Sequence, residues 1–233
     1  MKWLLVLHFP KPEEALKQQT VKGTEVAELL PAILRQSEAS QWPSLAQMPA
    51  LKQLFAWTSA TQVTVFDLQE TVRNAVLEVL HLHCFCETYQ FASRDDDEVF
   101  CKVGCDEAVL KHQAHRTHYP LCLSPSVESN PEFHKMLPHA PYDFTKDREG
   151  LFQVYDKSLF RDVDKIRLVK SLLDEYLCLD QMMEKGLLLD CFPIHEEKQL
   201  QVIRSKLLSR SFTLPLPQLR EYFGEKMAFY FLW

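Results

Sequence analysis

The chain has 233 residues, 46% hydrophobic and 25% charged. These are the proportions of soluble globular chains, so disordered, collagen-like and disulfide-miniprotein classes are excluded. Its 32 acidic residues outnumber 26 basic ones for a net charge of −6, the wrong balance for a nucleic-acid partner. Mean hydropathy is −0.20, and no apolar run reaches the ~18 residues that would mark a membrane span.

The start, Met1-Lys2-Trp3-Leu4-Leu5-Val6-Leu7-His8-Phe9, resembles a signal peptide only briefly. The apolar run breaks at His8, and Pro10-Lys11-Pro12-Glu13-Glu14 offers no small-residue cleavage site, so Trp3 to Phe9 reads as a buried central strand. Residues 11–62 form an insertion. Val26, Leu29, Leu30, Ile33 and Leu34 have helical spacing, and Pro31 is expected to break that helix. Residues 37–50 predict a loop before a short helix at 50–57. Asp67, with Glu70 three residues on, predicts a capped helix start. Val72, Ala75, Val76, Val79 and Leu80 supply that helix's apolar stripe. His83–Ala92 and Glu98–Gly104 predict a hairpin around the turn Arg94-Asp95-Asp96-Asp97. Asp106 is expected to cap a helix running to about Thr117. Pro120, Pro125, Pro131, Pro138 and Pro141 predict a long surface connection over residues 120–150. Leu159, Val163, Ile166, Val169, Leu173 and Tyr176 predict one long helix over Leu159–Leu177. A strand at Leu187–Ile194 and a helix at about Glu196–Leu208 follow. Pro215 and Pro217 interrupt the chain, and Leu219–Trp233 is helical in character and wholly apolar after Lys226.

Strand, helix, hairpin, helix, strand predicts an α+β fold. The expected form is a ferredoxin-like plait, βαββαβ with insertions at about 11–62 and 120–150, whose antiparallel sheet carries its helices on one face. This cytosolic domain is expected to occupy residues 1–212, with a linker and a C-terminal segment at 213–233.

The chemistry on offer is sparse. Cys84-x-Cys86 and Cys101-x3-Cys105, with His112, His115 and His118 nearby, raise a zinc alternative. Their spacing misses the C-x2-C knuckle, and buried free cysteines are the plainer reading. The odd count of 7 Cys points to reduced thiols facing the cytosol. Asp95-Asp96-Asp97 lacks the periodicity and glycine of a calcium loop. No phosphate loop, G-x-S-x-G or H-E-x-x-H occurs, and no enzyme activity is expected. The plait is also the scaffold of RNA-binding domains, but Cys101-Lys102-Val103 lacks their aromatic pattern.

The informative passage is Leu219-Arg220-Glu221-Tyr222-Phe223-Gly224-Glu225-Lys226-Met227-Ala228-Phe229-Tyr230-Phe231-Leu232-Trp233. Its charged half followed by an aromatic half suits a membrane–water interface. It resembles the junction of anoctamins, where the cytosolic N-terminal domain meets the first membrane helix. Arg220, Tyr222, Phe223, Gly224, Glu225, Lys226, Ala228, Tyr230 and Phe231 match the pattern I-R-x-Y-F-G-E-K-I-A-L-Y-F-x-W-L. Upstream, Leu188–His195 resembles the family's strand ending in F-P-L-H, and Ser158–Val169 resembles its I-F-S-S-I-D-R-I-R-L helix. Val99–Val103 and the helix after Asp106 resemble the preceding hairpin and helix. The likeness covers about 98–233.

The resemblance implies a cytosolic regulatory and assembly domain of a dimeric, multi-pass membrane protein. Such parents act in calcium-activated chloride transport, phospholipid scrambling or both. It implies partners in the parent's membrane domain, in a second subunit and in lipid at the C-terminal end. It places calcium ligands and pore outside this chain, so no cofactor is expected here and no transport by this region alone. The chain is expected to be cut just inside the first span. The competing reading is a free-standing soluble interaction module whose C-terminal amphipathic helix binds membrane or a partner.

Overall fold

The computed structural model describes residues 2–96, 98–129, 141–155, 157–208 and 214–230. In chain order the elements are β1 (Trp3–Pro10), β2 (Thr20–Val21), α1 (Gly23–Ile33), α2 (Pro49–Trp57), β3 (Val63–Thr64), α3 (Val65–Leu82), β4 (Glu87–Ala92) and β5 (Glu98–Gly104). Then come α4 (Glu107–Arg116), β6 (Pro120–Cys122), β7 (Pro141–Asp143), α5 (Asp162–Leu173), α6 (Leu179–Glu184), β8 (Asp190–Pro193), α7 (Glu197–Leu208), α8 (Leu216–Phe223) and α9 (Glu225–Tyr230). The result is an α+β fold, as expected. It divides into two compact units: Met1–Cys105 with Val169–Pro193, and Asp106–Leu168 with Ile194–Trp233.

The first unit is built on a four-stranded sheet in the order β4-β5-β1-β8, antiparallel at each pairing. The apolar N-terminal run occupies a central position, between β5 and β8. Leu4 to Leu7 are all buried, as a strand covered on both faces requires. Opposed residues share a face of a sheet, so the register separates two rows of side chains. Leu5, Leu7, Cys101 and Val103 form the inner face and are buried. The other face carries Phe91–Phe100–His8–Asp190 and Tyr89–Lys102–Val6–Phe192. Helix α3 contributes Val72, Ala75, Val76, Val79 and Leu80 to the core, the stripe read from its spacing.

Local chemistry corrects several expected boundaries. Thr64, not Asp67, is the N-cap of α3: its hydroxyl accepts the Asp67 N–H at 3.1 Å, which makes Asp67 the third helical residue of the cap. Helix α1 runs through Pro31. That proline lies in the last turn, so its missing N–H and ring clash affect only a helix already ending. The first strand of the hairpin starts at Glu87 rather than His83, because residues 83–86 turn tightly and Phe85 adopts a left-handed φ of 51°. Glu78 of α3 anchors α2, accepting the N–H groups of Ala50 and Leu51 at 2.9 Å each, the preferred place for an anion at a helix start. In the loop between α1 and α2, Ser44 Oγ lies 2.7 Å from His83 Nε2. The His83 ring is flanked by Trp42 and Tyr176 at 5.0 and 5.3 Å between centroids.

The predicted helix over Leu159–Leu177 is shorter, Asp162–Leu173. At its start, the Asp164 carboxylate captures the Arg161 N–H at 3.2 Å. At its end, Arg35 N donates to the Tyr176 carbonyl at 2.9 Å and Leu34 pairs with Leu177, so backbone partners outside the helix claim those residues. The strand predicted from Leu187 begins at Asp190.

In the second unit, residues 120–150 are more than a surface connection. β6 and β7 pair antiparallel, and Leu121, Leu123, Val127, Phe144 and Phe152 are buried. Phe144 packs on Phe152 and Phe160 at centroid distances of 5.4 and 6.1 Å. Pro131 and Pro138 lie outside the described residues, as do Asp97, Phe231, Leu232 and Trp233. Asp106 occupies the N-cap position of α4, without a side-chain bond to the helix.

Candidate membrane junction

The junction passage forms two short helices with a break between them, not one continuous helix. Pro217 stands in the first turn of α8, where the N–H that proline lacks would have had no partner within the helix. The break is Gly224. Its φ of 88° and ψ of 170° lie in a region essentially restricted to glycine. The Gly224 N–H still closes α8 on the Arg220 carbonyl at 3.0 Å, and its own carbonyl accepts the Ala228 N–H at 3.1 Å to open α9. A Cβ here would meet Arg167 Nη2 at 3.0 Å and Val163 Cγ2 at 3.5 Å. Helix α5 therefore forms the seat of the break.

Tyr222 fixes α8 to the start of α7. Its hydroxyl accepts the Glu196 N–H at 3.2 Å and lies 2.9 Å from His195 Nδ1. Its ring stacks over His195 with 6.0 Å between centroids and meets Phe223 edge-on at 4.7 Å. Behind these rings Ile203, Leu219 and Ala228 form a small core, on which Tyr222 and Phe223 pack. Arg220 points to solvent. Beyond the break, Met227, Phe229 and Tyr230 are exposed by 46%, 62% and 74%, so α9 buries Ala228 and presents its larger apolar side chains outward. Of the other motif residues, Glu225 and Lys226 belong to α9 but their side chains are not described, and Phe231 is outside the described residues.

Arg167, the residue beneath Gly224, interacts in turn with Tyr119, whose hydroxyl donates to Asp164 Oδ1 at 2.9 Å. Burial is the chief reason the Tyr119 phenol is pushed up to about 12, with the Asp164 charge adding to it. Asp164 is 1% exposed and is held by Arg161 Nε at 2.8 Å and Nη2 at 3.3 Å. This buried network was not foreseen. The helical stripe marks the apolar positions of α5, and Asp164 lies outside that stripe.

The zinc alternative does not assemble as a four-cysteine set. Cys84, Cys86, Cys101 and Cys105 are all buried and free. The Cys101 thiol is directed to its own strand at the Lys102 carbonyl. Burial pushes the Cys84 and Cys101 thiols up to about 12. Among the described residues, no group of three or more His, Cys, Asp or Glu is arranged to hold a metal ion.

The sequence reading also missed the ring ladder on the outer sheet face. Phe91, Phe100 and His8 stack in succession, with centroids 5.4 and 4.4 Å apart, and Lys102 Nζ lies 5.1 Å from the Phe91 ring centre. The alternation Tyr89, Phe91 and Phe100, Lys102 was the available signal. Among the described residues, no helix is long and apolar enough to cross a membrane. No family model matches the chain, and no curated protein does.

Proposed function

We propose that this chain is the cytosolic N-terminal regulatory and assembly domain of an anoctamin-type membrane protein, a ferredoxin-like plait over residues 1–212 followed by the approach to the membrane from residue 213. The parent would act in calcium-activated chloride transport or phospholipid scrambling, through calcium ligands and a permeation path outside this chain. Its partners would be the parent's own membrane domain, a second subunit and lipid at α9. The sheet order β4-β5-β1-β8 is the order a plait prescribes for its second, third, first and fourth strands. The observation that carries the reading is Gly224. It stands in the Tyr222-Phe223-Gly224-Glu225-Lys226 passage with a glycine-only backbone, and the helix after it turns Phe229 and Tyr230 to solvent.

Liposome flotation tests this. The intact chain should float with phospholipid vesicles, and a chain lacking residues 219–233 should stay at the bottom. Equal partitioning of the two would remove the basis for a membrane junction. A second reading, a free-standing interaction module, is favoured by the outer sheet face, where Tyr89, Phe91 and Phe192 are 56%, 38% and 37% exposed. Under that reading Tyr89→Ser and Phe91→Ser abolish partner capture, and the 219–233 deletion leaves it intact.

A further inference from the structure

Cys84 and Cys86 flank the strained turn before β4. Phe85 between them has a φ of 51°, a costly conformation for a bulky side chain, and is 70% exposed. The turn thus drives Phe85 outward and both neighbouring thiols inward. Cys84 and Cys86 are 0% and 1% exposed, and Cys105 is 5% exposed.

The ladder of β4 and β5 brings two of these thiols together. Glu87 pairs with Gly104 and Thr88 with Val103, so the next step of the same antiparallel register sets Cys86 opposite Cys105. Both continue the inner row that runs through Gln90–Cys101 and Thr88–Val103. The Cys86 Sγ donates to the Cys84 carbonyl at 3.6 Å, and the Cys105 thiol stands close beside it. Opposed residues in an antiparallel pair have Cα atoms ~4.5–5.5 Å apart, within the ~4.4–6.8 Å that a disulfide spans.

We infer that Cys86 and Cys105 form a peroxide-closable dithiol, an intramolecular redox site joining the start of β4 to the end of β5. One thiol gives up its proton and its sulfur attacks a peroxide oxygen. The O–O bond breaks, leaving a sulfenic acid and releasing water. The second sulfur then attacks the sulfenic sulfur, the S–S bond forms, and the S–O bond breaks with loss of a second water. Two thiols lose two protons and two electrons, and one hydrogen peroxide becomes two waters. A dithiol reductant reverses the closure by exchange.

The neighbouring Cys105 thiol, and then burial, raise the Cys86 thiol well above its ordinary range, so little thiolate exists while the turn is closed. Reaction passes through opening of residues 83–86, where the strained Phe85 makes opening least costly. Closure is therefore slow, and the buried bond, once formed, is shielded from bulky reductants.

The test uses the whole chain, treated with hydrogen peroxide, denatured in an alkylating agent and mapped by mass spectrometry without reductant. The expected product joins the peptide bearing Cys84 and Cys86 to the peptide bearing Cys105, disappears with dithiothreitol, and persists in Cys84→Ser. A link confined to Cys84–Cys86, links only between molecules, or free Cys86 and Cys105 after Cys122 and Cys191 have been oxidised would each overturn the assignment.

Discussion

Tyr222 and His195 meet side by side, hydroxyl to Nδ1 at 2.9 Å with their rings 25° from parallel. They join the residues just before α7 to the last turn of α8. The same hydroxyl takes the Glu196 N–H. Tyr222→Phe keeps the ring and removes both polar contacts. It should cost about 1 kcal/mol, read as a lower urea midpoint with an unchanged slope. His195→Ala, at an exposed position, should cost less.

Gly224→Ala should be costly for a different reason. The backbone region it occupies is worth about 1–3 kcal/mol against any other residue, and Arg167 and Val163 close the space above it. Gly186 also has a positive φ, 68°, but nothing lies within 4 Å of a Cβ there. Gly186→Ala should therefore lose only about 1 kcal/mol. Thermal unfolding of the two variants should rank Gly224→Ala below Gly186→Ala, and Gly224→Val lower still.

Asp164 is a buried carboxylate with guanidinium, hydroxyl and backbone partners. Asp164→Leu removes the carboxylate that Arg161 Nε and Nη2 donate to and should cost about 3–5 kcal/mol. Replacing both members, Arg161→Met with Asp164→Leu, should recover part of that loss, because no unpaired buried charge remains. Denaturant titration of the single and double variants measures the difference. A double variant as unstable as Asp164→Leu alone would show that packing, not charge pairing, sets the cost.

His83 supplies a pH dependence. Burial lowers its pKa from the ordinary 6.5, so the unfolded chain takes up a proton before the folded one does. Its contribution to stability is complete above about 6.5 and is lost as pH falls from there through the lowered folded value. His83→Gln should flatten the stability profile in that acid window and leave the profile above it unchanged. Melting temperatures across pH 5–8, the range in which histidine ordinarily titrates, would show this.

Elements with one strong local signal were legible in the sequence. Strand β1 followed from a continuous apolar run, α3 from its stripe, and β5 from the polar turn before it. Where a distant backbone group competes, the sequence misled. Tyr176 and Leu177 continue the apolar period of α5, yet Arg35 and Leu34 claim their backbone groups. The prolines of 120–150 suggested solvent, but Phe144 and Phe152 are core residues. In the junction, the residue types were visible and the break was not. A lone glycine in a helical pattern shows a left-handed backbone only when its neighbours are known. The Arg167 seat lies 57 residues earlier in the chain, beyond any local window.

The placement of β8 has a consequence for synthesis. Strand β1 emerges from the ribosome before its partners, and β5 can cover one of its edges once Gly104 has emerged. The other edge, Leu5 to His8, pairs with Asp190–Pro193, which is made only after the whole stretch from Cys105 to Leu189. For that whole interval a nascent chain presents an unpaired apolar strand edge, the feature most prone to intermolecular pairing. Production of this protein should therefore depend on holdase chaperones, and fragments ending before residue 190 should aggregate where the full chain does not.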